Sequence, residues 1–261
     1  MIDTIPDILA RIVAKKREEL ARVAPMEQWE REAEVRHSSR RDFQAALRAR
    51  TPAIIAEVKK ASPSKGVLSR DFDPVRIATA YQRGGAAALS VLTDESFFQG
   101  SLADLETARS AVSLPVLRKD FTLANAHILE AAAHGADAIL LIAAILHERE
   151  IRDFREAAAR YSMAALVEVH NRRELDIAIA AGSEIIGVNN RDLVTFEVTL
   201  ETSLRLAEHI PAGAVKVSES GIHDARDIAK LRAAGFTVFL VGERLMKSDD
   251  PAAALQQLVA A

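Results

Sequence analysis

Several short apolar runs in this 261-residue chain end in ionisable or amide side chains, and that recurrence is its first chemical signal. The run 53–58 carries Glu57 and is followed by Lys59, and 115–117 leads to Lys119. The run 164–169 carries Glu168, and 185–188 leads into Asn189, Asn190, Arg191 and Asp192. Further on, 214–217 leads into Ser218, Glu219, Ser220 and Gly221, and 238–241 into Gly242 and Glu243. An ionised lysine or glutamate beside a buried apolar segment is disfavoured by desolvation unless a partner offsets the cost. Lysines and glutamates gathered on one face compensate one another, and their pKa values move toward those useful for proton transfer. Taken singly, each is equally well explained as a strand-end residue reaching solvent. For the whole set at one end of one sheet, that explanation fails.

Such a set needs a scaffold that brings distant segments together. From Ala53 onward a unit repeats, in which a helix ends on glycine and runs into a short apolar strand. Gly84 and Gly85 precede 87–92, Gly135 precedes 138–142, Gly182 precedes 185–188, and Gly235 precedes 238–241. Glycine just past a helix takes the left-handed conformation without a Cβ penalty and turns the chain back toward the sheet. With 53–58, 115–117, 164–169 and 214–217, the chain has eight short strands, apolar rather than alternating, as expected where both faces are buried. Asn171 and Glu174 read as N-cap and capping-box partner of one intervening helix, with Leu175, Ala178 and Ile179 on its inner face. An open doubly wound sheet would carry a glycine-rich phosphate loop after its first strand. Here residues 57–64 contain neither G-x-G-x-x-G nor a Walker motif. The prediction is an α/β chain folded as a closed (β/α)8 TIM barrel, whose active site lies at the C-terminal strand ends.

Residues 1–50 read differently. A helical stripe over 5–23 carries Ile5, Ile8, Leu9, Ile12 and Val13, and a second helical stretch covers 42–50. The expected organisation is an N-terminal helical extension, 1–50, packed on a catalytic barrel, 51–261.

In this fold the loops after the seventh and eighth strands often hold phosphate through backbone N–H groups. Ser220-Gly221-Ile222 and Gly242-Glu243-Arg244 suit that role, because glycine admits an oxyanion against the backbone. The histidines show no metal-ligand spacing. His170 follows Glu168 and could line the rim, although a solvated or satisfied histidine is the plainer reading of each.

The formal charge of −3, the absence of a basic tract and an aromatic content of 5% disfavour nucleic-acid binding. With no cysteine, thiolate metal sites, disulfides and cysteine nucleophiles are excluded. Asp3, Asp7 and Arg11 interrupt any signal-peptide core, and the apolar stretch 138–146 is too short to span a bilayer. A soluble cytoplasmic protein, monomeric or weakly dimeric, without membrane or nucleic-acid partners, is expected.

Beyond these general features, residues 56–66 (AEVKKASPSKG) resemble the first-strand signature of the indole-3-glycerol-phosphate synthase family. Segments 90–94 (SVLTD), 98–100 (FQG), 117–121 (LRKDF), 166–170 (LVEVH), 187–193 (GVNNRDL) and 218–222 (SESGI) resemble that family in the same order. The resemblance implies conversion of 1-(2-carboxyphenylamino)-1-deoxyribulose 5-phosphate to indole-3-glycerol phosphate in tryptophan biosynthesis, with release of carbon dioxide and water and without metal or organic cofactor. It implies Lys119 as the acid that polarises the C2′ carbonyl during ring closure. Glu168, Glu57 and Lys59 would share the later proton transfers, or Lys59 would hold the substrate carboxylate until it leaves. Asn189, Glu219 and Ser220 would orient the sugar hydroxyls and the catalytic charges. Ser62, Arg191, Gly221, Gly242 and Glu243 fall on the phosphate side. Phe98, Phe121 and Leu140 would wall the anthranilate ring, with ordinary core packing as the other reading. One departure is Arg244, where that family often has a small hydroxyl residue; an arginine there adds a phosphate contact or points to solvent.

Two alternatives remain at this stage. A phosphoribosyl-type isomerase barrel would generally lack the set Glu57, Lys59, Lys119 and Glu168. A non-catalytic barrel subunit of a biosynthetic complex would have lost some of these charges, and none is lost.

Overall fold

The computed structural model describes residues 7–21, 26–63, 65–69 and 71–261. Eight parallel strands close into a barrel: β1 (Ala53–Val58), β2 (Ala88–Leu92), β3 (Val116–Lys119), β4 (Ala138–Ile142), β5 (Ala164–Val169), β6 (Ile185–Asn189), β7 (Val215–Glu219) and β8 (Val238–Val241). Each pairs with its neighbours in the chain, and β1 closes the ring by setting Ala53 opposite Val238 while Ile55 lies opposite Ala88. Gly85, Gly135, Gly182 and Gly235 carry φ values of 91°, 85°, 73° and 92°, so the glycines at the helix ends do make the left-handed turn into the sheet.

Three strands run further than the apolar pattern indicates, and they do so into the charged residues. β3 includes Lys119, β6 includes Asn189 and β7 includes Glu219. The pleat then decides their direction. Alternate residues such as Ala53 and Ile55, Leu117, Leu166, Ile185, Val215 and Val217, and Leu240 pack inside the barrel, while Ile54, Val116, Val167 and Ile186 pack against the helices. Glu57, Lys119, Glu168, Asn189 and Glu219 continue the inward series, one layer above the apolar interior.

Before the barrel come α1 (Asp7–Leu20), α2 (Met26–His37) and α3 (Phe43–Arg48). Of the expected α1 stripe, Leu9, Ile12 and Val13 are buried and Ile8 is half-buried, while Ile5 and Val23 lie outside the described residues. α3 inserts Phe43 and Leu47 into the interior cluster and closes the N-terminal end of the barrel. α2 has no apolar stripe, which is why the sequence pattern does not announce it. Only Ala33 of this helix is fully buried, and its Arg36 pairs with Glu106 at 2.8 Å.

The link between α2 and α3 is latched to the barrel by arginines. Arg40 donates to the carbonyls of Ala132, Ala136 and Tyr161 at 2.5, 2.8 and 3.1 Å, where two barrel helices end. Asp137, fully buried, accepts from the Arg41 and Val116 N–H groups and from both Nε and Nη2 of Arg109.

The expected capping box at Asn171 is shifted by one residue. Asn171 accepts from the Glu174 N–H at 3.0 Å, but the Glu174 carboxylate returns to the N–H of His170 at 2.8 Å and to its ring.

Candidate active site

A cavity of about 200 Å³ opens at the C-terminal end of the barrel. It is lined by the fifteen residues to which the family resemblance assigns a role, but not by Asn190, Asp192, Ser218 or His170. Glu57, Lys59, Lys119 and Glu168 are there, as are Asn189, Glu219 and Ser220. The apolar side is Phe98, Phe121 and Leu140, and the phosphate-side set is Ser62, Arg191, Gly221, Gly242 and Glu243. Ile8, Leu9 and Ile12 of α1 also line it, which no strand-end pattern could reveal because their apolar stripe reads simply as packing.

At the centre, Lys119 Nζ lies 2.6 Å from Glu168 Oε2 and 3.2 Å from Glu219 Oε2. Burial favours a neutral lysine, but Glu168, Glu219 and Glu57 outweigh it and hold the ammonium above its ordinary range. Glu168 moves the opposite way. Burial would raise it, yet Lys119 and His170 keep it ionised, below the usual carboxylate range. Glu219 is pushed up to about 7 by burial and by the charges of Glu168 and Glu57, against the pull of Lys119. Two carboxylates on one lysine therefore differ in protonation, one held charged and the other poised near neutrality. Lys59 pairs with Glu57 beside them.

Asn189 orders the next layer. Its Nδ2 donates to Glu168 Oε1 at 3.2 Å, while its Oδ1 accepts from the Ser220 hydroxyl at 2.9 Å and the Arg191 N–H at 3.0 Å. Ser220 has φ 67°, a conformation that costs a non-glycine residue about 1–3 kcal/mol. The bond to Asn189, and one from Asn190 Nδ2 to the Ser220 carbonyl at 3.1 Å, hold it there.

Two glycines make room for the carboxylates. A Cβ on Gly187 would overlap Glu219 Oε1, and one on Gly242 would overlap Glu57 Oε1. Gly242, expected to admit phosphate, therefore also admits Glu57. Gly187→Ala is expected to keep the barrel but displace Glu219. Turnover should fall by about 10²-fold, the scale of a 1 Å misplacement at a reacting centre. Steady-state kinetics on the folded variant measure this, and a rate near that of the unaltered protein would refute it.

Of the residues expected at the phosphate, Gly221 follows β7 and Gly242 and Glu243 follow β8, while Ser62 follows β1 and Arg191 follows β6. Gly242 heads a short helix, Glu243–Met246, whose first N–H groups lack intrahelical partners. Arg244 lines the cavity and donates from Nε to the His223 carbonyl at 3.2 Å, so it ties the two loops together. Arg191 Nη2 lies 4.0 Å from Glu243 Oε2.

His170 lies between two carboxylates and is hydrogen-bonded through Nδ1, while its buried Nε2 makes no hydrogen bond. Its Nδ1 lies 2.9 Å from Glu174 Oε2, and its Nε2 lies 3.3 Å from Glu168 Oε1 at an angle short of a hydrogen bond. Burial would lower its pKa, but Glu168 and Glu174 raise it from 6.5 to about 10. Because the folded value lies above the unfolded one, this stabilisation is complete below pH 6.5 and is lost as pH rises to about 10. His170→Gln should flatten the fall in urea midpoint between pH 6.5 and 10; parallel curves for the two proteins would contradict the assignment.

Among the described residues no group of three or more metal-ligating side chains occurs, and no helix is long and apolar enough to cross a membrane.

Comparison with known proteins places this geometry. Solved structures share the barrel at low identity. A 3-hexulose-6-phosphate synthase matches with TM-score 0.63 and 15% identity over 80% of this chain and 98% of its own. The tryptophan synthase α2β2 complex from Pyrococcus furiosus matches with TM-score 0.59 and 14% identity over 81% of this chain and 99% of its own. At such identities these show the fold alone. Sequence relatives say more. The indole-3-glycerol phosphate synthase of Burkholderia vietnamiensis is 51% identical over 97% of this chain and 98% of its own length. That of Albidiferax ferrireducens is 49% identical over 97% and 98%. The family model described as indole-3-glycerol phosphate synthase matches residues 9–258, and the chain belongs to that family.

Proposed function

We propose that the chain closes the indole ring of 1-(2-carboxyphenylamino)-1-deoxyribulose 5-phosphate, with the family's carboxy-lyase activity carried by the charged set at the barrel mouth. The observation that carries the residue roles is Lys119, whose Nζ lies 2.6 Å from Glu168 Oε2 and 3.2 Å from Glu219 Oε2. The ring carbon bearing the carboxylate attacks C2′ while Lys119 delivers a proton to the C2′ oxygen. The carboxylate then leaves as carbon dioxide, and its bonding electrons restore the aromatic ring. Loss of the C2′ hydroxyl as water takes up a second proton. Glu168 removes a proton from C1′ as the new double bond forms and returns it to Lys119, 2.6 Å away. The balance is one proton consumed per turnover.

Glu219, whose pKa burial and the neighbouring carboxylates raise to about 7, is placed to protonate the departing hydroxyl. Glu57 and Lys59 form an ion pair beside the same set. Phe98, Phe121 and Leu140 face the aromatic ring; Ser62, Arg191, Gly221, Gly242 and Glu243 take the phosphate end; Asn189 and Ser220 orient the groups between. The division into a helical extension, 1–50, and a catalytic barrel, 51–261, a cytoplasmic location, and a monomer or weak homodimer complete this reading.

The test is incubation with the carboxyphenylamino-deoxyribulose phosphate while indole absorbance and fluorescence are followed. Indole-3-glycerol phosphate should accumulate in step with carbon dioxide. A folded protein that gives neither at neutral pH would refute the assignment.

A further inference from the structure

Lys16 belongs to α1, yet its side chain is buried and ends among carboxylates of the barrel. Its Nζ lies 2.9 Å from Asp120 Oδ1 and 3.1 Å from Asp94 Oδ2, with its helix neighbour Glu19 at 3.1 Å. Burial would favour a neutral amine, but Asp120 and Asp94 keep it charged, above the ordinary lysine range.

Both aspartates already hold something else. Asp94, fully buried, caps the short helix Glu95–Phe98 by accepting from the Phe97 N–H through Oδ1 at 2.7 Å. Asp120 accepts from the Phe121 N–H through Oδ1 at 2.8 Å, and its Oδ2 takes the Thr93 hydroxyl and Arg118. These backbone bonds fix the segments that present Phe98 and Phe121, whose ring centroids stand 6.2 Å apart. One ammonium therefore closes on the anchors of these two aromatic side chains of the cavity wall.

We propose that Lys16 is a positioning residue, by which the N-terminal helix sets the aromatic subsite of the barrel. This rests on the reading above that Phe98 and Phe121 face the ring of the substrate. The physical reason is charge balance. Asp120 keeps Arg118 as a second cation, whereas Asp94 loses the cation it meets. A buried carboxylate left without its counter-charge takes up a proton or moves toward water. Either change weakens the cap over the Phe97 N–H and lets Phe98 leave its place.

The experiment compares Lys16→Met with the unaltered protein. The expected result is a rise in KM of about tenfold or more, equivalent to about 1.4 kcal/mol. The change in kcat should be small, and inhibition by inorganic phosphate, which reports the opposite corner, should not change. Lys16→Arg should restore KM. Adding Asp94→Asn to Lys16→Met should also lower it, because asparagine keeps the cap acceptor and removes the stranded charge. Lys16→Gln carries the same comparison if the methionine variant does not fold.

An unchanged KM in the folded variant would overturn the proposal, and so would parallel losses in kcat and phosphate inhibition, which mark a general loosening. Phe98→Ala separates the two readings. If it leaves KM unchanged, the aromatic wall is not the ring subsite and the underlying reading fails. If it raises KM while Lys16→Met does not, the role of Lys16 alone fails.

Discussion

Lys119→Ala is expected to leave the barrel folded and to slow turnover by about 10²–10⁴, the usual scale for a positioned acid. Lys119 sits at the end of β3 with its side chain inside the barrel mouth, so truncation opens no cavity in the apolar layers below it. It does remove the charge that keeps Glu168 ionised and opposes the rise at Glu219. Two buried carboxylates are then left facing each other, and one of them retains a proton at neutral pH. The variant thus loses its acid and compromises its base together. Its acid limb in the kcat–pH profile should move upward. Lys119→Arg refines the point. A guanidinium restores the positive charge but does not release its proton at neutral pH. Recovery by arginine would assign Lys119 an electrostatic role, while continued loss supports proton donation. A fall of less than about threefold in Lys119→Ala would move the acid elsewhere.

The second large effect is expected at the opposite end of the molecule and on stability alone. Asp137→Ala should cost about 3–5 kcal/mol, the range for breaking a buried ion pair by removing one partner. Asp137 is fully buried and answers four donors: the N–H groups of Arg41 and Val116, and Nε and Nη2 of Arg109. Alanine removes this acceptor from all of them and leaves Arg109 without its carboxylate, its Nη2 keeping the Ser39 carbonyl at 2.6 Å. In a chain of this size the loss corresponds to a fall in Tm of roughly 10 °C. Because Asp137 precedes β4 and catalysis belongs to the other strand ends, the folded variant should retain its kcat at low temperature. Asp137→Asn keeps the shape and one of the two acceptor oxygens and should lose less. Thermal unfolding of the pair decides it, and a Tm within about 2 °C of the unaltered protein would mean the N-terminal link is not held by this residue.

Much of the site is legible in the chain because its residues are local to strand ends. Glycine at the helix ends and the apolar runs mark the barrel, and residues just beyond the runs line the cavity. What three of the runs do not contain is the end of their strand. An apolar pattern stops where a charge begins, yet β3, β6 and β7 continue through Lys119, Asn189 and Glu219, because their backbones stay paired in the ladder whatever their side chains.

The sequence by itself thus determined the repeat, the barrel and the strand-end members of the pocket, since these follow from local propensity and from motif order. Tertiary structure alone decided direction and partnership. Arg118 and Lys119 are adjacent cations, but the pleat sends Arg118 outward to Glu130 and Lys119 inward to Glu168. It also decided that Gly187 and Gly242 leave space for Glu219 and Glu57, and that α1 walls the cavity and plants Lys16 between Asp94 and Asp120. Those contacts join positions far apart in the chain. No local pattern encodes them, because only closure of the barrel brings their charges and surfaces within reach of one another.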